Sequence, residues 1–221
     1  MEIKPIAYYR GPLGEKFGTP RQAGLVPDLA GTVEFCEGFE PAMLDGLEGF
    51  DYIWLIWGFS LNRPSEGVAE GPFDGVASKV RPPRLGGNEK MGVFATRSPY
   101  RPNPLGLSSV RIAAIDAPAG RLEVFGADLV DGTPIYDIKP YVEYADSHPG
   151  VRSGFAAEAP RRALKVVWED PSARDENLEA ILSLDPRPAY QDNPSRIYGL
   201  SFKGLNIRFR VEDDVLTVLN C

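Results

Sequence analysis

The chain has 221 residues, 43% of them hydrophobic, and a formal net charge of −7. That length allows one large domain or one domain with a smaller unit attached, and no apolar run approaches the roughly 20 residues of a membrane-spanning helix. The first residues lack the apolar core of a signal peptide and two cysteines make no disulfide framework, so the composition predicts a cytoplasmic protein that does not cross a membrane.

Strand-like segments dominate the first two thirds of the chain. They are rich in β-branched and aromatic residues and are bounded by Gly, Pro and Asp. The predicted strands span residues 3–10, 31–37, 50–60, 91–97, 107–116, 121–130 and 134–141. Residues 41–50 offer one or two helical turns. Short strands with turn signals at this spacing are typical of an antiparallel barrel or sandwich, so we predict a mainly β fold.

The pattern changes after residues 147–161, which have the composition of a linker. Residues 162–170 predict a strand, residues 172–184 a helix with Ser172 as its N-cap, and residues 197–220 two or three strands. We therefore predict a barrel domain over residues 1–146, a linker, and a small C-terminal α+β domain over residues 162–221.

Several kinds of site are excluded by what the chain lacks. No glycine is followed two residues later by another glycine, so the dinucleotide-binding fingerprint is absent, as is a P-loop lysine motif. The single histidine, His148, lies in the predicted linker and leaves no serine–histidine triad or multi-histidine metal site. Cys36 lies in an alternating strand and is predicted to be a core residue. We expect no metal site. Any binding or catalysis should therefore use arginines, carboxylates, hydroxyls, tyrosines and backbone amides.

The acidic total hides a basic tract between residues 79 and 111. The tract has seven Lys and Arg residues and one acid, so its net charge is +6 and that of the rest is −13. Such a tract is either a solvated face or a local phosphate site. If the phosphates belong to a nucleic acid such as RNA, the candidate contacts are Lys79, Arg81, Arg84, Lys90, Tyr100 and Arg101.

Three loops place charged or amide side chains beside prolines: residues 15–28, 80–108 and 127–146. Proline restricts its own φ angle and the residue before it, so these loops are pre-organised at low entropic cost. Arg97 and Arg101 lie in the second loop, in "TRSPYRPNP". A site without regular elements needs that rigidity.

The stretches "EKFGTPRQAGLV", "PRLGGNEKMGVFATRSPYRPNPLGLS" and "DLVDGTPIYDIKPY" closely resemble signature blocks of the TsaA-like family, which includes the TrmO tRNA methyltransferases. "DPRPAYQ" at residues 185–191 resembles a C-terminal block of its bacterial branch. The resemblance implies a small antiparallel β-barrel that binds S-adenosylmethionine without a Rossmann fold, near a homodimer interface. It also implies methylation of N6 of threonylcarbamoyladenosine beside the tRNA anticodon.

The resemblance also implies a set of cofactor contacts. By position in the family blocks they are Pro20, Arg21, Gln22, Phe59, Ser60, Arg97, Leu107, Asp128, Leu129, Val130 and Asp131. The family usually has His where this chain has Ser60. Either Arg21 or Arg97 could bind the cofactor carboxylate as a fork, and we expect Arg97 to pair with Asp131 across two loops.

Methyl transfer to a urea-like nitrogen requires that its proton leaves. The candidate acceptors are Asp131, Asp137 and the substrate's own threonine carboxylate. Tyr100, Tyr136 or Tyr141 could stack on the target base. Two other interpretations stay open: a methyltransferase of the same fold with another substrate, and a non-catalytic RNA-binding module, which would use the basic tract alone.

Overall fold

The computed structural model describes residues 2–62, 73, 75–82, 85, 88–158, 164–188, 191 and 193–220. Within these ranges the N-terminal part contains the strands β1 (Ala7–Arg10), β2 (Ala30–Phe35), β3 (Tyr52–Gly58), β4 (Lys79–Val80), β5 (Met91–Gly92), β6 (Leu105–Asp116), β7 (Arg121–Phe125) and β8 (Pro134–Pro140). The short helix α1 (Glu143–Asp146) follows β8, and the C-terminal part contains β9 (Lys165–Trp168), α2 (Glu176–Ser183), β10 (Tyr198–Phe202), β11 (Leu205–Glu212) and β12 (Val215–Asn220).

Six of the N-terminal strands close into a barrel in the order β1-β2-β7-β6-β3-β8. All six pairings are antiparallel, and β1 closes the barrel by pairing Ala7 with Ile135 of β8. Closure pairs every strand on both sides and removes exposed sheet edges. The mainly β barrel predicted from the sequence is confirmed.

The alternation of strand residues decides what fills the barrel. Ile53, Leu55 and Trp57 of β3 point inward and are buried, whereas the residues between them are partly exposed. Gly106 of β6 lies opposite Trp57, and a Cβ atom there would overlap the indole ring. The barrel therefore needs a glycine at position 106 to accommodate the tryptophan.

Some predicted elements are shorter or different in the structure. The predicted strand over residues 91–97 is only β5, and a 3-10 turn follows at Val93–Ala95. The predicted strand over residues 121–130 ends at Phe125, because Gly126 adopts a φ of 79° that breaks the extended backbone. Residues 41–50 form two 3-10 turns, at Pro41–Leu44 and Leu47–Gly49, as predicted.

The C-terminal part is a four-stranded sheet in the order β10-β11-β12-β9, with α2 packed against it. The β9–β12 pair is parallel. The N-cap prediction was wrong: Asp175, not Ser172, caps α2, and its carboxylate accepts hydrogen bonds from the N–H groups of Asn177 and Leu178, both at 3.0 Å. Ser172 lies in a preceding 3-10 turn that is capped by Asp170.

The described residues form two hydrophobic cores, one inside the barrel and one beneath the C-terminal sheet. The second core also contains Leu13, Val26 and Leu29, which lie between β1 and β2. The connection between β1 and β2 therefore packs against the C-terminal sheet. The division into residues 1–146, 147–161 and 162–221 stays a prediction, and residues 159–163 at its second boundary lie outside the described residues.

Candidate functional site

Three segments from distant parts of the chain meet at one end of the barrel. Arg97, in the loop after β5, donates a hydrogen bond from Nη1 to Oε1 of Gln22 in the β1–β2 connection. In the same connection the Gly24 N–H donates to the Gly126 carbonyl at 2.8 Å, and the Ala23 N–H lies close enough to Asp128 to lower the pKa of that carboxyl. Residues from all three sequence blocks that were predicted to bind a cofactor are thus brought into one site.

Asp128 is held by a buried hydrogen-bond chain. Trp57 Nε1 donates to Ser108 Oγ at 2.9 Å, and Ser108 Oγ donates to Asp128 Oδ1 at 2.5 Å. Burial raises the pKa of Asp128 from its ordinary 3.8, while the Ser108 hydroxyl, the Ala23 N–H and the positive charge of Arg97 oppose that rise. A cation or a hydroxyl donor placed beside this carboxylate would stabilise its charged form.

Asp131 has a different place from the one expected. Its Oδ1 accepts a hydrogen bond from the Gly11 N–H at 3.2 Å, and its own N–H donates to the Leu13 carbonyl at 2.8 Å. These bonds turn the Asp131 side chain toward β1. Within the described residues, Arg97 therefore interacts with Gln22 and Asp128, and the predicted pairing with Asp131 is wrong.

The other predicted cofactor contacts in the first block and just after β3 differ in accessibility. Pro20 is buried, whereas Arg21 is exposed and its carbonyl accepts a hydrogen bond from Gln22 Nε2 at 2.5 Å. Phe59 packs edge-on against Trp57 with ring centroids 4.4 Å apart, and Ser60 beside it is exposed.

Leu107 and the residues after Asp128 complete that set. The side chain of Leu107 is 58% exposed and free to contact a ligand. Leu129 is buried in the barrel core, so only its backbone can reach a ligand. The Val130 carbonyl accepts the hydroxyl of Thr133 at 2.6 Å, which closes the turn before β8.

The second candidate proton acceptor, Asp137, faces elsewhere. It lines a groove of about 750 Å³ together with Phe35, Cys36 and Leu47, and none of the described cofactor candidates lines that groove. Its carboxylate lies 3.5 Å from Lys139 Nζ. The structure thus separates Asp137 from the Arg97–Asp128 site.

The predicted RNA-contacting residues lie around the β4–β5 hairpin and the loop that follows it. Lys79, Arg81 and Lys90 are exposed, and Arg84 lies outside the described residues. Arg101 is half-buried and donates to the Thr96 carbonyl at 3.3 Å, so it is less available to phosphates than expected. The structure therefore keeps three of the predicted cations on an accessible face.

The three tyrosines that were predicted to stack on the target base differ in how much of the ring is exposed. The side chain of Tyr100 is 58% exposed. Tyr141 packs against Tyr52 and Trp54, and Tyr136 lies against Gly58. Tyr100 is the one whose ring is mostly open to a ligand.

Sequence reasoning missed Ser108 and Trp57, which support Asp128. The signal was available in β6: Ser108 and Val110 alternate inward, and a serine at an inward position is unusual in an apolar barrel. Such a buried hydroxyl needs partners, which here are the Trp57 indole and the Asp128 carboxylate.

In the part of the chain that the structure describes, no three His, Cys, Asp or Glu side chains are grouped as metal ligands. The described helices are too short or too polar for a bilayer span.

The fold is a closed β-barrel whose candidate ligand site is built from loops at one barrel end, with an arginine, an amide and a buried carboxylate. The sequence pattern of the tRNA-methyltransferase O N-terminal domain matches residues 8–147, and that of the TrmO C-terminal domain matches residues 155–221. The chain belongs to the tRNA-methyltransferase O family.

Relatives and solved structures agree over nearly the whole chain. A Pseudomonas aeruginosa protein described as a candidate S-adenosylmethionine-dependent methyltransferase, RcsF, is 40% identical over 99% of this chain and 96% of its own length. The tRNA (adenine(37)-N6)-methyltransferase of Escherichia coli K12 is 35% identical over 96% of this chain and 94% of its own length. A crystal structure of TrmO from P. aeruginosa superposes with a TM-score of 0.77 at 34% identity, covering 100% of this chain and 96% of that one.

Proposed function

We propose that this protein is a cytoplasmic, S-adenosylmethionine-dependent methyltransferase that methylates N6 of adenine 37 in tRNA, the position in the name of its E. coli relative. We further propose that the substrate nucleoside is threonylcarbamoyladenosine. The observation that carries the proposal is the convergence of Gln22, Arg97 and Asp128, which come from three separate family blocks, at one barrel end.

The chemistry of these side chains fits S-adenosylmethionine. The guanidinium of Arg97 has five N–H donors, so it can bind the cofactor carboxylate and still contact Gln22. Asp128 can accept the ribose hydroxyls or the cofactor ammonium. Phe59 and the exposed Leu107 offer apolar surface to the adenine ring. When bound, the cofactor supplies a methyl group already activated by a sulfonium.

In the proposed reaction the sulfur–methyl bond breaks, a carbon–nitrogen bond forms at N6, and the N6 proton leaves. Because the methyl group is already activated, the main task of the protein is to position the target nitrogen. Asp131 is exposed and lies three residues after Asp128 on one loop, whereas Asp137 lies in the separate groove. We therefore favour Asp131, or the substrate's own carboxylate, as the proton acceptor.

We also propose that the enzyme is a homodimer with its interface beside the Arg97 loop. Four large apolar side chains around that loop are exposed: Phe94, Tyr100, Leu105 and Leu107. Apolar side chains grouped on a surface mark interaction sites. In this arrangement Tyr100 is available for the partner subunit or for the target base.

Methyl transfer to defined tRNA tests the proposed function. Purified protein is incubated with S-adenosylmethionine and tRNA that either carries or lacks threonylcarbamoyladenosine, and the nucleosides are analysed by mass spectrometry. We expect one added methyl group on threonylcarbamoyladenosine only. Arg97→Ala should weaken cofactor binding by about 1.5–3 kcal/mol, the range for a charge-assisted hydrogen bond, without unfolding the protein.

The failures of this test are distinguishable. Cofactor binding without methylation of either tRNA would point to another substrate. Binding of tRNA without any cofactor binding, measured by calorimetric titration, would point to a non-catalytic RNA-binding module.

A further inference from the structure

The connection between β1 and β2, residues 11–29, is described throughout and has no helix or strand of its own except for an isolated bridge at Leu13. It nevertheless carries Gln22 and Ala23, which contact Arg97 and Asp128. A segment of this length without regular structure is held in one conformation only if its neighbours order it. We call residues 11–29 the cofactor segment.

The C-terminal sheet holds the first half of the cofactor segment. Leu13 forms the isolated bridge to Phe202 of β10, and the Lys203 N–H donates to the Pro12 carbonyl at 2.7 Å. The Glu15 carboxylate accepts the Ser201 N–H at 2.8 Å. The edge of the C-terminal sheet is thus covered by the segment that leads into the candidate cofactor site.

Aromatic and glycine contacts strengthen this attachment. The Phe17 ring is stacked with Tyr198 and Phe209, with centroids 6.4 and 6.3 Å apart. Gly18 has a φ of 85°, and a Cβ atom there would overlap Leu200 Cδ1, so its backbone approaches the sheet closely. Phe17 stands five residues before Gln22 in the sequence.

The other side of the cofactor segment is bound to the barrel loops. Gly24 donates to Gly126, Gly11 donates to Asp131, and the Leu13 carbonyl accepts the Asp131 N–H. The segment therefore lies between the C-terminal sheet and the loop that carries Asp128. A substitution that alters the contact between this segment and the sheet would therefore alter the conformation of Gln22 and Ala23, which are only a few residues away in the chain.

We propose that the C-terminal unit positions the cofactor segment, and that Phe17 is the positioning residue that transmits this order to Gln22 and Asp128. The inference rests on the proposed function, since it assigns S-adenosylmethionine to this site. Ordering a loop before a ligand arrives improves affinity by lowering the entropic cost of binding. The C-terminal unit would thus act on cofactor affinity from outside the barrel.

The test compares Phe17→Ala with the parent and with Ile181→Val. Ile181 is buried in the same C-terminal core but lies on α2, so Ile181→Val loosens that core and leaves Phe17 and its ring partners Tyr198 and Phe209 in place. Amide hydrogen exchange of the cofactor-free proteins should show faster exchange at Ala23 and Gly24 in Phe17→Ala only. The dissociation constant for S-adenosylmethionine should rise by about ten-fold in Phe17→Ala, because the cofactor would then have to order the segment as it binds. Michaelis constants for tRNA should be nearly unchanged.

Phe17→Leu keeps an apolar side chain at this position and should restore most of the affinity, which keeps the test usable if Phe17→Ala does not fold. An unchanged dissociation constant and unchanged exchange in folded Phe17→Ala would overturn the inference. An equal loss of affinity in Ile181→Val would also overturn it, because the effect would then follow general stability. If Arg97→Ala loses affinity for S-adenosylmethionine and Phe17→Ala does not, only this inference fails. If the parent protein does not bind S-adenosylmethionine, the proposed function fails.

Discussion

The negative charge of Asp128 is unfavourable for folding, because the side chain is buried, and favourable for binding a positively charged ligand. Burial disfavours its charge, and the Trp57–Ser108 chain and Arg97 compensate in part. A ligand that brings a positive charge would benefit from the same carboxylate. Residues that bind ligands are often kept at such a cost to stability.

Asp128→Asn tests this conflict. Because the pKa of Asp128 is raised in the folded protein, its stabilising contribution is present below its ordinary pKa of 3.8 and is lost as the pH rises through the folded value. Asparagine has no such titration and keeps an oxygen for Ser108. We expect the variant to match or exceed the thermal stability of the parent at pH 7, with the difference shrinking toward pH 4, and to bind S-adenosylmethionine more weakly.

The measurement is a series of thermal unfolding curves over that pH range, with calorimetric titration of the cofactor at pH 7. If the variant is less stable than the parent at pH 7 and this difference disappears in acid, the pKa of Asp128 is lowered in the folded protein rather than raised.

At the scale of elements, α2 depends on a carboxylate at its start. Partial burial would raise the pKa of Asp175, but the ion pair with Lys203 at 2.7 Å and the N–H groups of Asn177 and Leu178 outweigh burial and lower it. The same side chain therefore caps α2 and links it to the turn between β10 and β11. This link supports the sheet that covers the cofactor segment.

Asp175→Ala should destabilise the protein by about 1 kcal/mol, as the loss of an N-cap does. Since the folded pKa is lowered, the contribution of Asp175 is present above the ordinary Asp pKa of 3.8 and is lost as the pH falls through the folded value. Urea unfolding at pH 7 and at acid pH measures both effects. Asp175→Asn keeps the cap and loses the ion pair, so its free energy of unfolding should lie between those of the parent and the alanine variant. If Asp175→Ala is destabilised equally at both pH values, the charge of Asp175 does not contribute to stability.

At the scale of the whole molecule, an acidic protein is expected to hold an acidic nucleic acid. The positive charge has to be concentrated for this, and Lys79, Arg81 and Lys90 present it on the β4–β5 hairpin. All three are exposed on this hairpin and are not among the candidate cofactor contacts, so RNA affinity and cofactor affinity can be altered separately.

Replacing Lys79, Arg81 and Lys90 by glutamine should raise the Michaelis constant for tRNA and leave S-adenosylmethionine affinity nearly intact. For every phosphate that the variant no longer neutralises, the log–log salt dependence of binding should flatten by somewhat less than about one unit. Lys4→Gln is the control, because Lys4 is exposed and lies before β1, away from the barrel end where β1 reaches the site. If the triple variant methylates tRNA like the parent across a salt series, the hairpin is only a solvated surface.

Most of the barrel could be predicted from local pattern. The β-branched and aromatic strand segments and the Gly, Pro and Asp residues between them are local features. The inward face is not: β3 is apolar throughout, and only the structure shows which of its residues face the core. The blocks around Arg97 and Asp128 carried the family resemblance. By contrast, the cap of α2 was misplaced by three residues, because Ser172 and Asp175 are both good caps and only packing selects between them.

Local sequence pattern predicted the barrel class, the approximate positions of most of its strands and the three loops of the candidate site. The tertiary structure was needed to show that Arg97 bonds to Gln22 and lies near the charge of Asp128 instead of pairing with Asp131. It was also needed to show that Ser108 links Trp57 to Asp128 and that Phe17 packs under the C-terminal sheet. These contacts join residues far apart in the chain. They depend on strand register and barrel closure, which set distances that no local pattern encodes.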